Sequence, residues 1–287
     1  MPLATRSTDV ADLGKCPGAW LLKLIYEDQK AEASYFALGS ALHDGIDITI
    51  KEDLSLEQAL TIVEGQIEDW LSQIAKTSSQ RILESSSRGV DTILDDAQRM
   101  MKNWWKFTHP SSPDRLLLYE QYEWPPRTEV AWEREDPETT YPVWGSIDAI
   151  FDKKDSTEIA IVDWKSGTSR QRNSDQLHFY QFGYGYMPGD IAWFHHLDRV
   201  RKHYVIQDAE PYPGDAAVRQ RVLATEAIKQ FILEDGRATF NQDWWCGWCS
   251  VQEFCPVEGA DKAGNLANLE RAMVYLRPME QIEREVA

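Results

Sequence analysis

Through the first hundred residues the apolar positions recur at helical spacing, and after them they switch to short β-branched and aromatic runs. GAWLLKLIY, FALGSALHDGIDITI, LSLEQALTIVEGQIEDWLSQI and DTILDDAQRMMKNWWKF each predict a helix, the second carrying His43. Thr8 and Asp9 are placed to cap a short first helix, and Pro17 suits the first turn of the next. The Ser-rich stretch SSQRILESSSRG interrupts the helical pattern, and the breaker cluster HPSSP ends it. LLLYEQYEW, TEVAWER, VWGSIDAIF and EIAIVDW then predict consecutive strands of an antiparallel meander. A helix over SDQLHFYQFGYGY, two strands over IAWFHHL and KHYVI, and a long helix over DAAVRQRVLATEAIKQFIL follow. NLANLERAMVYL predicts a helical tail that Pro278 ends or kinks. With no repeat or low-complexity linker, this order predicts one α+β domain over residues 1–287. Its parts are a mainly helical segment at 1–110, a sheet core at 115–206, a helix with a cysteine cluster at 207–258, and a helical tail at 259–287.

Composition narrows the function classes. A chain of 287 residues is long enough for a sizeable core, and its twelve tryptophans supply much apolar area to fill it. The net charge of −17 argues against broad nonspecific attraction to nucleic acid, because that attraction rests on Lys and Arg meeting phosphate. A local basic groove stays open, and carboxylates gathered around a metal would add to the negative balance. No stretch approaches the ~20 apolar residues of a membrane span. The N-terminus MPLATRSTDV lacks a basic-then-apolar leader, which argues against an oxidising compartment and points to the cytoplasm.

All four cysteines fall where a soft metal centre could use them. Cys246, Cys249 and Cys255 form a C-x₂-C-x₅-C-P run, and Cys16, also followed by proline, lies more than two hundred residues upstream. Four thiolates suit an iron–sulfur cluster or a structural zinc. Zinc sites usually pair two close couples, and here one ligand stands alone, so the spacing leans to a cluster. Unrelated free thiols are the plainer alternative.

The candidate chemistry lies in the middle strands. Asp148 in GSIDAI and Asp163 in IVDWKSG flank the polar turn DKKDST, and a hairpin there brings the two carboxylates together. Side chains alternate along a strand, so Asp163 and Lys165 share one face and Trp164 takes the other. Hard oxygen ligands of this kind suit Mg²⁺ or Mn²⁺, and the lysine can hold a water or offset charge on a transferring phosphoryl group. Gln176 and Tyr180 stand at i and i+4 on the next helix. Taken alone, an Asp and a Lys at a strand end are common surface residues. The basic stretch HHLDRVRKHY, with His195, His196, Arg199, Arg201, Lys202 and His203, reads as a solvated turn unless the substrate is a polyanion.

In order along the chain stand Cys16-Pro17, Gly39-x-x-x-His43, Gly145-Ser-Ile-Asp148, Asp163-Trp-Lys165-Ser-Gly167, Gln176-Leu-x-x-Tyr180 and the terminal cysteine run. These six elements span from about residue 8 to residue 258. In them the chain resembles the RecB-like branch of the PD-(D/E)XK nuclease superfamily. It is most similar to the CRISPR-associated and phage-borne RecB-like exonucleases that carry an iron–sulfur cluster. Two departures are modest: the second acid is Asp163 where many relatives have Glu, and the residue between acid and lysine is the bulky Trp164.

The resemblance implies a restriction-endonuclease-like core, with a central mixed sheet flanked by helices, a helical N-terminal part and a C-terminal Fe–S clip. It implies a metal-dependent exonuclease acting at DNA ends, with single-stranded or frayed DNA preferred, in a bacterial or phage-infected cell. His43, Asp148, Asp163 and the main-chain carbonyl of Trp164 would hold Mg²⁺ or Mn²⁺, and Lys165 would orient or activate the attacking water. Gln176 and Tyr180 would steady the strand and meet the DNA backbone. Cys16, Cys246, Cys249 and Cys255 would hold a [4Fe–4S] cluster with a structural role. On a DNA-cleaving chain, Arg170, Arg172, Arg199, Arg201 and Lys202 become candidate phosphate contacts. The protein partner implied is a second copy or a recombination- or CRISPR-type protein. The competing function class is an inactive DNA-binding or assembly subunit of the same fold.

Overall fold

The computed structural model describes residues 4–25, 34–77, 90–166, 174–197, 204–235, 238–241, 249, 251 and 255. Its elements in chain order are α1 (Ser7–Lys15), α2 (Pro17–Ile25), α3 (Ser34–Glu52), α4 (Leu56–Thr77) and α5 (Val90–Thr108), then a 3-10 turn (Leu117–Gln121). β1 (Arg127–Arg134), β2 (Val143–Asp152), β3 (Ile159–Lys165), α6 (Asp175–Tyr184), β4 (Ile191–His196), β5 (Val205–Asp208) and α7 (Asp215–Asp235) follow. Two compact units result, one of Met1–Glu32, Glu135–Val143 and Ala216–Ala287, the other of Ala33–Arg134 and Trp144–Asp215. The predicted helical tail and the Ser-rich interruption lie outside the described residues.

The larger unit holds the sheet, in strand order β1-β2-β3-β4-β5. β2 and β3 pair antiparallel, β3 and β4 pair parallel, and β4 and β5 pair antiparallel. The sheet is therefore mixed, and the fold is α+β. The parallel step needs a crossover, which α6 supplies between β3 and β4. Leu38, Leu42, Ile46 and Ile50 recur at four-residue spacing on α3 and pack with Val63 and Ile67 of α4 and with Met100 and Trp104 of α5. They cover one sheet face through Ala149, Phe151, Ala160, Val162 and Trp164. Close approach of α3 and α4 depends on Gly45, where a Cβ would come within 2.3 Å of Val63 Cγ2.

Three sequence expectations are corrected. LLLYEQYEW is not a strand: Leu117–Gln121 forms the 3-10 turn, with Tyr119 fully buried and Leu117 exposed. The buried phenol and Arg115, whose guanidinium donates to Thr108 O at 3.0 Å and Tyr119 O at 3.3 Å, outweigh the local β-propensity. Thr8 and Asp9 lie inside the first turn of α1, whose N-cap is Arg6; Asp9 still caps the helix, from its third position, its carboxylate accepting the Arg6 N–H at 2.9 Å. His195 and His196, read as the start of a basic solvent stretch, are instead buried in β4.

His195 accordingly belongs to a core polar network. Its Nδ1 lies 2.7 Å from the Tyr119 hydroxyl and 2.9 Å from that of Tyr204, which in turn meets Thr108 Oγ1 at 3.0 Å. Burial, reinforced by His196, holds its pKa down to about 3. The unfolded chain, with an ordinary histidine near pH 6.5, binds a proton that the folded chain refuses. Stability therefore falls as pH drops from about 6.5 toward 3. Replacing His195 by Asn should reduce the pH slope of the unfolding free energy by about 1.4 kcal/mol per pH unit between about pH 4 and 6. Denaturant titrations of both proteins across that range measure it, and parallel slopes would show that this histidine titrates normally.

Candidate active site

Alternation along β3 sorts its side chains. Val162 and Trp164 enter the helical core, where the Trp164 ring stands edge-on to Trp104 at 6.2 Å. Asp163 and Lys165 take the opposite face, toward α6. In the antiparallel register Ala149 faces Val162, and one further step sets Asp148 across from Asp163. The register thus brings together the two carboxylates that the hairpin pattern predicts.

His43 reaches this point from α3. Its Nε2–H donates to the Trp164 carbonyl at 3.1 Å, and its Nδ1 lies 3.5 Å from Asp148 Oδ1. The other Asp148 oxygen accepts the Trp164 N–H at 2.7 Å. Gly39, one turn earlier on α3, passes beside the end of β3, where a Cβ would stand in ordinary contact with Ser166 Oγ at 3.4 Å. Lys165 Nζ is 2.5 Å from Asp163 Oδ2 and donates to Gln176 Oε1 at 2.9 Å. Gln176 Nε2 donates to the Tyr180 hydroxyl at 2.7 Å. The i, i+4 pair on α6 therefore orients the lysine through a chain of hydrogen bonds. Trp132, tilted against Phe179 of α6 at 5.4 Å, lies between Gly145 and Gly183, where a Cβ would fall 2.9 Å and 2.1 Å from its ring.

One site carboxylate gave no sequence signal. Glu129 of β1 offers an oxygen that, with a ligand atom each from His43 and Asp148, forms a trio within 4.8 Å of one another. TEVAWER reads only as an alternating strand, and the meeting of Glu129 with His43 depends on how β1 crosses α3, which no local pattern encodes. The predicted phosphate contacts Arg170, Arg172, Arg199, Arg201 and Lys202 lie outside the described residues.

Electrostatics fit a cation. Burial works against protonating His43, yet Asp148 foremost, with Asp163 and Glu129, overrides it and raises its pKa to about 9. Burial first, and Asp148 after it, push Asp163 up to about 6 against the pull of Lys165 and His43. Partial burial and Asp148 also raise Glu129. In the metal-free protein the His43 imidazolium sits among acceptors that a divalent ion would want, and metal must displace its proton. The donors are an imidazole, a main-chain carbonyl and carboxylates, a mixture suited to Mg²⁺ or Mn²⁺.

Cysteines of the smaller unit gather separately. Cys16 is buried, Cys249 and Cys255 are partly so, and none of the three is in a disulfide; Cys246 lies outside the described residues. The main-chain N–H groups of Ala19 and Asn241 each point at Cys16 Sγ from 3.4 Å. Burial raises the Cys249 thiol, and Cys255 and Cys16 are near enough to add to that rise. Among the described residues the three sulfurs do not form a ligand group of the kind that His43, Glu129 and Asp148 form.

The raised Asp163 carboxyl has a stability consequence. Its pKa of about 6 means that the folded state binds a proton more tightly than the unfolded chain, so stability is full below about pH 4 and falls as pH rises through 6. Ionised Asp163 then costs roughly 2–3 kcal/mol at neutral pH in the absence of metal. Asp163→Asn should therefore melt several degrees higher than the wild type at pH 7 in a chelator, and the gap should close near pH 4. Thermal scans at the two pH values decide it, and an Asn variant that melts lower at pH 7 would refute the assignment.

A family model described as the PD-(D/E)XK nuclease superfamily matches residues 7–256. A search of curated proteins gave no significant match. Among solved structures, one described as "Crystal structure of SSO0001" is similar at 14% sequence identity, with a TM-score of 0.37, over 77% of this chain and 85% of that one. Among the described residues no helix is long and apolar enough to cross a membrane. The family match covers most of the sequence, and the chain belongs to the PD-(D/E)XK nuclease superfamily, whose members are generally metal-dependent nucleases.

Proposed function

We propose that the protein is a divalent-metal-dependent exonuclease of the RecB-like branch, hydrolysing phosphodiester bonds at DNA ends and preferring single-stranded or frayed DNA. The observation that carries this reading is the convergence of His43, Asp148, Asp163 and the Trp164 main chain beside a lysine held in place by Gln176 and Tyr180. His43, Asp148, Asp163 and the Trp164 carbonyl would hold Mg²⁺ or Mn²⁺. Such an ion lowers the pKa of a water and offsets charge on the phosphoryl oxygens. Lys165, fixed between Asp163 and Gln176, presents an ammonium that orients the attacking water and follows the developing charge. An assembly subunit would have no use for a lysine braced in this way. We further assign Cys16, Cys246, Cys249 and Cys255 to a structural [4Fe–4S] cluster, by resemblance to phage-borne and CRISPR-associated relatives.

Incubating anaerobically purified protein with end-labelled single- and double-stranded linear DNA, with and without Mn²⁺, tests the activity. Lys165→Ala should lower cleavage by roughly 100-fold or more without lowering the melting temperature, because the residue sits at the site and outside the core. Undiminished cleavage by that variant would end the mechanism. For the cysteines, the protein should purify brown, with broad absorbance near ~400 nm and about four irons per chain. Cys16→Ser should lower the iron content and the melting temperature together. One zinc and no iron would replace the cluster by a zinc clip.

A further inference from the structure

We propose that Glu129 is a direct ligand of the cation site, in addition to the residues the sequence motifs supply; the inference rests on the metal-dependent reading above. Its carboxylate lies in a trio with His43 and Asp148 whose ligand atoms are all within 4.8 Å of one another. Asp163 is outside that trio, with Oδ2 2.5 Å from Lys165. By proximity alone, Glu129 has a stronger claim on an ion at His43 and Asp148 than the motif carboxylate does.

The local structure holds Glu129 there at some cost. It occupies the left-handed region, with φ of 47°, which a side chain other than Gly, Asn or Asp rarely adopts. The residue before it, Thr128, donates its hydroxyl to Asp47 of α3, one helical turn beyond His43. That bond fastens β1 to the helix that carries the imidazole. Ser146, two residues before Asp148 on β2, donates to Glu129 Oε2 at 3.3 Å. Among the described residues no lysine or arginine pairs with the Glu129 carboxylate, while Asp148 stands beside it as a like charge. Glu129 is exposed, and the His43 imidazolium is the cationic group that offsets it; a metal that displaces the His43 proton would take over that role between the two carboxylates. A third carboxylate also shifts the site toward hard ions with a taste for oxygen donors.

Titrating metal-free full-length protein with Mn²⁺ and following free Mn²⁺ by electron paramagnetic resonance tests this without reference to cleavage. Glu129→Gln should bind Mn²⁺ roughly tenfold or more weakly than the wild type. Glu129→Asp should also bind more weakly, because the carboxylate is drawn back by one methylene. The melting temperature of the metal-free variants should stay at or above that of the wild type. Affinity within twofold of wild type in Glu129→Gln overturns the inference and leaves the nuclease reading standing. Full affinity in Glu129→Asp alongside a loss in Glu129→Gln also overturns it, since charge at a distance would then suffice. A wild type that binds no Mn²⁺ overturns the metal-dependent reading together with this inference.

Discussion

The main chain of one residue fixes the candidate site. The Trp164 N–H is held by Asp148 and the Trp164 carbonyl by His43, so two site side chains satisfy the flanks of the same residue. β2, β3 and α3 are thereby tied at a single position. The indole of that residue is anchored in the core against Trp104 and His195, which leaves the main chain little freedom to shift. Because alternation is strict, fixing Trp164 inward fixes Asp163 and Lys165 outward. A one-residue slip would bury the lysine in the helical core and send the indole into the site. The bulky residue between acid and lysine, a departure from the family pattern, thus has a structural role, because it pins the register on which the chemistry depends.

That arrangement is electrostatically expensive without metal. Burial and neighbouring carboxylates raise Asp163 and Glu129, which means the ionised forms destabilise the fold that displays them. His43 and Lys165 offset part of this, each through geometry that also orients it. A divalent ion would offset the rest, so metal affinity and fold stability are linked at these residues. The overall charge of −17 raises the same issue at long range. A polyanionic substrate approaching an acidic chain gains nothing from the average field, and attraction must come from the ion and from locally placed cations.

Sequence patterns with a period disclosed most of the frame. The amphipathic helices α3, α4 and α5 and the strands β2, β3 and β4 fall where hydrophobic spacing predicts them, because each buries a regular face. Asp148 and Asp163 were legible because one hairpin joins them, and Gln176 and Tyr180 because i, i+4 spacing is local. What stayed illegible was non-local. Tyr119 sits in a 3-10 turn because its hydroxyl finds His195 and Tyr204, more than seventy residues away. His195 and His196 look basic in a run beside Arg199 and Arg201, but parallel pairing with Trp164 and Lys165 makes them central-strand residues. Glu129 escaped notice for the same reason: its neighbours in space come from α3 and β2.

In the smaller unit, closure of the N-terminal segment does not wait on the thiols. Asp9 accepts from the Trp20 indole at 2.9 Å and from Lys229 of α7 at 3.0 Å, and Lys229 also donates to the Ala4 carbonyl at 2.8 Å. Burial lowers the Lys229 pKa while Asp9 opposes that shift, as expected of a lysine kept charged by a partner. Leu13, Trp20 and Leu21 add an apolar contact with Ile232 and Leu233. Gly18 donates its N–H to Thr239 O at 2.9 Å, with the Phe240 ring lying where a Cβ would be. α1, α2 and α7 are therefore already joined by a buried ion pair and a small core. A ligand set recruited to this corner has no need to create the closure. Cys16 is presented on a preformed edge, with main-chain N–H groups already directed at its sulfur.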